Sequence, residues 1–102
     1  MFGLSEHTIH AIQNVLKAYS QVDKAVLYGS RAIGNYRPGS DIDLTLLGQD
    51  LDLTILHQIE DDLDDLLLPY KIDLSIFHQI SNPGFLDHIL RKGKVFYERS
   101  IN

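Results

Sequence analysis

The chain contains no cysteine, which excludes a disulfide framework and any thiolate metal site and leaves the redox compartment open. No run of apolar residues approaches the roughly 18 that a membrane-crossing helix needs. Met1 to His10 is amphipathic and carries no Lys or Arg, unlike a secretory leader. The expected location is the cytoplasm. Basic residues are scarce too: 9 Lys and Arg against 14 Asp and Glu give a formal charge of -5. Nucleic-acid affinity usually shows as a basic stripe along one face, so direct binding to a long polyanion is not expected. Internal repeats, linkers and low-complexity stretches are missing as well. What is present is ordinary. With 44% hydrophobic and 23% charged residues over 102 positions, the chain can bury a core and fits a single domain, residues 1–102.

Periodicity divides the chain cleanly. Ile9, Ile12, Leu16 and Tyr19 recur at helical spacing behind a Ser5 cap, which predicts a helix from about Ser5 to Tyr19. Lys24 to Tyr28 is a β-rich apolar run that stops at Gly29. Ala32 and Ile33 suit one helical turn, and Gly34, Asn35, Pro38, Gly39 and Ser40 must be loop. From Asp41 to Leu47 polar and apolar residues alternate, and they do so again from Lys71 to Phe77, predicting two half-buried strands. Between them Leu53, Leu56, Ile59, Leu63 and Leu66 mark a helix that ends near Pro69. The acids Glu60, Asp61, Asp62, Asp64 and Asp65 fall on its outer side and read as a solvated face. Asn82, Pro83, Arg91, Lys92 and Gly93 outline a last helix, and Lys94 to Glu98 a closing strand. This order implies an α/β (α+β) layer fold with one small mixed sheet of about four strands and helices packed on it.

Two strand positions are chemically expensive. Asp41 and Asp43 lie two apart, so their carboxylates point the same way and repel each other. A cation would relieve that repulsion. Asp73 occupies the same apolar-Asp-apolar context in Ile72-Asp73-Leu74 as Asp43 does in Ile42-Asp43-Leu44, suggesting that a neighbouring strand brings a third carboxylate to one spot. Three acidic oxygen donors suit a hard ion such as Mg²⁺, which keeps water and substrate phosphates as its other ligands. Gly29-Ser30 supplies the complementary half, since glycine lets backbone N–H groups approach a phosphate and the serine hydroxyl can donate to it. A phosphate cradle followed by a metal clamp is what transfer of a nucleotidyl group demands.

Leu27-Tyr28-Gly29-Ser30-Arg31-Ala32 through Pro38-Gly39-Ser40-Asp41-Ile42-Asp43-Leu44 resembles the signature of the polymerase-beta-type nucleotidyltransferases, and within them the minimal nucleotidyltransferases. The resemblance implies the nucleotidyltransferase fold over roughly Ser5 to Glu98. By the same resemblance Gly29 and Ser30 grip the triphosphate of an NTP, ATP above all, with Arg31 as a further phosphate contact. Asp41 and Asp43 would ligate two Mg²⁺ ions, for which Mn²⁺ could substitute. Asp73 would ligate one of them and help to activate the acceptor hydroxyl. Minimal members often act as the antitoxin of a toxin–antitoxin pair by attaching AMP to a HEPN-domain protein, so the acceptor expected here is such a partner. Homo- or hetero-oligomer formation is compatible with the apolar sheet and helix faces.

Rival readings remain at this level. The same fold could mask a toxin without turnover, or bind a nucleotide as a sensor. Asp41 and Asp43 could merely discourage edge aggregation, but that leaves Asp73 and Gly29-Ser30 unexplained. Asp41-Ile42-Asp43-Leu44-Thr45 also fits a phosphatase motif, although loop rather than an apolar strand precedes it. The five histidines lack the spacing of a zinc site and are expected at the surface or its boundary. Arg91, Lys92 and Lys94 most simply favour a helix C-terminus, and with Arg99 could form a small basic docking patch. The tyrosines are expected in core or boundary packing.

Overall fold

The computed structural model describes residues 1–100. The first helix, α1 (Glu6–Lys17), is capped by the Ser5 hydroxyl, which accepts from the Thr8 N–H. Strand β1 (Lys24–Tyr28) leads through Gly29 into a single helical turn, α2 (Ser30–Ile33). After the loop come β2 (Ile42–Leu47), α3 (Leu53–Asp64) and β3 (Ile72–Ile76). A 3-10 turn (Phe77–Gln79), α4 (Pro83–Lys92) and β4 (Lys94–Glu98) complete the chain. No helix among the described residues is long and apolar enough to cross a membrane.

The strand order is β3-β2-β1-β4, with β2 and β3 parallel and the other pairs antiparallel. A parallel pair needs a crossover connection, and α3 is that crossover. Strand alternation sends Ala25, Leu27, Ile42, Leu44, Leu46, Leu74 and Ile76 to one face, where they pack against Ile12 and Leu16 of α1 and Leu56, Ile59 and Leu63 of α3. Most of these side chains are wholly buried, and each Leu or Ile contributes about 1.5–3 kcal/mol by leaving water. The other face, carrying Val26, Tyr28, Asp43, Thr45, Asp73 and Ser75, is met by α4 and the 3-10 turn among the described residues. One face is therefore core, and the other is available for chemistry.

The fold is the α+β arrangement expected, with differences confined to element ends. Helix α1 stops at Lys17 rather than Tyr19, whose hydroxyl instead donates to Asp62 and ties the end of α1 to α3. Helix α3 stops at Asp64, ahead of Leu66, because the chain turns through Leu67 at a positive φ of 54°. Its acids Asp61, Asp62, Asp64 and Asp65 are exposed and Glu60 is half-buried, consistent with a solvated face. Asp41 lies just ahead of β2 rather than within it.

Candidate active site

Register decides the site. In the parallel pair Asp43 lies directly beside Asp73, and in the antiparallel pair Tyr28, the last residue of β1, lies directly beside Asp43. Neighbouring strands run about 4.8 Å apart, so the Asp43 and Asp73 carboxylates project from adjacent roots on one face. Asp41 precedes them by one strand repeat, its place fixed by the Ile42 N–H, which donates to the Lys71 carbonyl at 2.9 Å. Asp43 is half-buried while Asp41 and Asp73 are exposed. Burial raises the Asp43 pKa above its ordinary value, the negative charges of Asp73 and Asp41 raise it further, and Lys71 opposes them. Asp43 thus feels the charge of both other expected acids, with that repulsion only partly offset.

Such a donor set fits a hard divalent cation. Among the described residues no three His, Asp or Glu side chains are gathered closely enough to hold a metal ion by themselves. A Mg²⁺ ion here would therefore take one or two of these carboxylates and need substrate phosphate and water for its other ligands.

Gly29 approaches from β1. Its backbone, at φ 76° and ψ -156°, lies in a region that essentially only glycine occupies. A Cβ there would stand 2.5 Å from Asp43 Oδ2, so the glycine turn touches the central carboxylate of the acidic cluster. Ser30 follows as the half-buried first residue of α2. The turn expected to hold phosphate and the acids expected to hold metal therefore adjoin.

Arg31 has a different position from the phosphate contact expected of it. It is 2% exposed, and its guanidinium donates from Nε and Nη2 to the Ser40 carbonyl at 3.1 and 2.9 Å, from Nη1 to Phe2 at 2.9 Å and from Nη2 to Pro38 at 3.3 Å. The rings of Tyr36 and Tyr70 lie against it at 5.3 and 5.0 Å, and no carboxylate pairs with it among the described residues. This buried cation is satisfied by carbonyl dipoles and aromatic faces instead of an acid. Its donors hold the peptide just before Asp41, so Arg31 joins the glycine turn on its own helix to the first acid.

Three contributors were not singled out by sequence. His88 on α4 accepts the Gly29 N–H at Nε2 over a long 3.4 Å. Tyr28 is buried, with Phe85 and His88 edge-on to its ring at 5.2 and 6.4 Å. Its phenol pKa is raised, first by burial and then by Asp43 and Asp73; nearby Ser75 pulls the other way. Ser75 Oγ nonetheless has no hydrogen bond of ordinary geometry, and neither has Thr45 Oγ1 beside it in register. The other histidines, His7, His10, His57 and His78, are exposed.

A mixed sheet that presents acids from two adjacent strands beside a glycine turn is the nucleotidyltransferase fold. The family model of the Polymerase beta nucleotidyltransferases matches residues 10–102, and the chain belongs to that family. A comparison with curated proteins found no match. Among solved structures, a toxin–antitoxin complex with AMP-PNP is 22% identical with a TM-score of 0.72, covering 89% of this chain and 73% of its own. A tri-AMPylated Shewanella oneidensis HEPN toxin in complex with MNT antitoxin is 19% identical with a TM-score of 0.70, covering 94% and 74%. The toxin–antitoxin pair MntA–HepT is 20% identical with a TM-score of 0.68, covering 93% and 74%. At these identities the likeness is one of fold.

Proposed function

We propose that the chain transfers AMP from ATP to a hydroxyl of a HEPN-domain protein, and in doing so serves as the antitoxin of a toxin–antitoxin pair in the cytoplasm. The observation that carries the reading is the register of Asp43 beside Asp73 with Gly29 in contact, which brings acids and phosphate turn into one place. The solved neighbours with HEPN toxin, one of them AMPylated, support the choice of acceptor.

In this reading Gly29 and Ser30 hold the triphosphate, and Asp41, Asp43 and Asp73 are the residues that would hold the Mg²⁺ ions. When bound, the ions neutralise phosphate charge and stabilise the attacking and leaving oxygens. The acceptor oxygen attacks the α-phosphorus, the bond from that phosphorus to the bridging oxygen of the β-phosphate breaks, and pyrophosphate departs. Asp73, the exposed acid at the rim, takes the hydroxyl proton on a carboxylate oxygen. His88 steadies the turn by accepting the Gly29 N–H, with Tyr28 packed edge-on against it. Arg31 holds Asp41 in place from behind.

The test is transfer of label from α-³²P-ATP, with Mg²⁺, to a HEPN-domain protein from the same genome. Wild type should label it and release pyrophosphate, whereas Asp43→Asn should fall by at least about 100-fold, the scale on which removal of one electrostatic stabiliser acts. Equal labelling by both, or by neither, discards the reading. Neutralisation of the toxin by Asp43→Asn would favour masking.

A further inference from the structure

The phosphate contact that the sequence offers, Arg31, is spent elsewhere in the fold. Its donors go to the carbonyls of Phe2, Pro38 and Ser40, and two tyrosine rings enclose it. A nucleoside triphosphate carries several negative charges, and the face that would receive it presents carboxylates on a chain of formal charge -5. Cationic side chains are the usual protein answer to phosphate, with lysine acting as a point charge. One lysine stands in the right place.

Lys71 precedes Asp73 by two residues, so alternation turns both side chains to the same face. Leu74 and Ile76 are buried in the core, with Ile72 packed against it, which sets Lys71 and Asp73 on the opposite face, with Asp43. The Ile42 N–H donates to the Lys71 carbonyl at 2.9 Å. Continued one residue ahead of Ile42 and Ile72, the parallel register places Lys71 beside Asp41 as Asp73 is placed beside Asp43. Four charged residues thus form two rows about 4.8 Å apart, Asp41 and Asp43 in one, Lys71 and Asp73 in the other.

The Lys71 charge is felt at the site, since it opposes the rise in the Asp43 pKa that burial, Asp73 and Asp41 produce. Its ammonium nevertheless makes no ion pair among the described residues, and the side chain is exposed. With cations on the acids, the ammonium would be repelled from them, and a bound polyphosphate would be the opposite charge left for it.

We propose that Lys71 is a nucleotide-binding residue whose ammonium donates to oxygens of the triphosphate, the part that the sequence reserved for Arg31. The proposal rests on the reading that this site takes an NTP, and it is tested by binding rather than turnover. Calorimetry measures the affinity of wild type, Lys71→Met, Lys71→Arg and Lys17→Met for ATP with Mg²⁺, for inorganic tripolyphosphate with Mg²⁺, and for Mg²⁺ alone. Lys17 ends α1, across the core from the acids, and its loss changes net charge equally. Lys71→Met should bind ATP and tripolyphosphate about tenfold or more weakly, the scale of one hydrogen bond to a charged group. Lys71→Arg should keep most of the affinity, and Lys17→Met all of it. Melting temperatures should stay close to wild type, because the changed side chains are exposed and unpaired.

The rival role, a counter-charge for the acids alone, predicts the opposite sign. Removing Lys71 would then leave the acids more negative, so Mg²⁺ and Mg²⁺-ATP would bind as tightly as before or more so. Unchanged or tighter ATP binding by Lys71→Met would therefore overturn the proposal, and so would an equal loss in Lys17→Met or in Lys71→Arg. If transfer of AMP persisted beside such a result, the catalytic reading would survive without Lys71. Lys71-dependent ATP binding with no transfer to any acceptor would instead sink the catalytic reading and leave the phosphate contact standing.

Discussion

Gly29→Ala is the sharpest probe of the site, because two separate effects meet at that residue. Its φ of 76° with ψ of -156° is a conformation that side chains avoid, and holding one there costs about 1–3 kcal/mol. The new methyl would also stand 2.5 Å from Asp43 Oδ2, so either the turn or the carboxylate must move. Gly34 separates the two effects, since its φ is 88° but a methyl added there would meet no atom within 4 Å. Gly39, with ordinary φ and open space, is the neutral control. Thermal unfolding should show Gly39→Ala close to wild type and Gly34→Ala lowered by about 1–2 kcal/mol. Gly29→Ala should lose about 2 kcal/mol or more, a fall of roughly 8–16 °C in a domain of this size. In the transfer assay, well below every melting point, only Gly29→Ala should lose activity beyond its loss of folded protein, because only it displaces Asp43. If Gly29→Ala melted and turned over like wild type, the placement of the glycine turn against Asp43 would be refuted.

Arg31→Met should destabilise the fold by about 3 kcal/mol or more, because hydrogen bonds to a charged group are worth about 1.5–3 kcal/mol each and buried carbonyls would lose their donor. Urea denaturation measures this, and a loss under about 1 kcal/mol would show that the buried guanidinium does not hold the loop. Asp43→Asn should have the opposite effect on stability from its effect on transfer. The folded state raises the Asp43 pKa, so stability from this group is complete below the ordinary value of 3.8 and is lost as pH rises through the raised folded value. Removing the charge should therefore raise the melting temperature at pH 7, with the gap over wild type closing as pH falls toward 3.8. A gap that widened on acidification would contradict the mutual repulsion of the three acids.

Much of this protein is legible in its sequence because the relevant rules are local. Alternation along Asp41 to Leu47 and Lys71 to Phe77 sets which side chains share a face, and it depends only on the backbone repeat of two. Capping by Ser5, Asp52 and Asn82 fixes helix starts within a few residues. The spacing from Gly29-Ser30 to Asp41 and Asp43 exposed the family. Element ends were less legible, since Leu67 could leave the helix only by a turn that tertiary packing selected. Which surfaces meet was settled by the assembled fold and by nothing simpler. No local rule places Asp73 in register with Asp43 across thirty residues, because strand pairing is chosen by the helix that connects them and the core beneath. Nor does any pattern show that Tyr36, Tyr70 and three carbonyls will enclose Arg31, or that His88 will meet Gly29. Burial and contact are properties of the packed layers, and they assigned the roles that residue type left open.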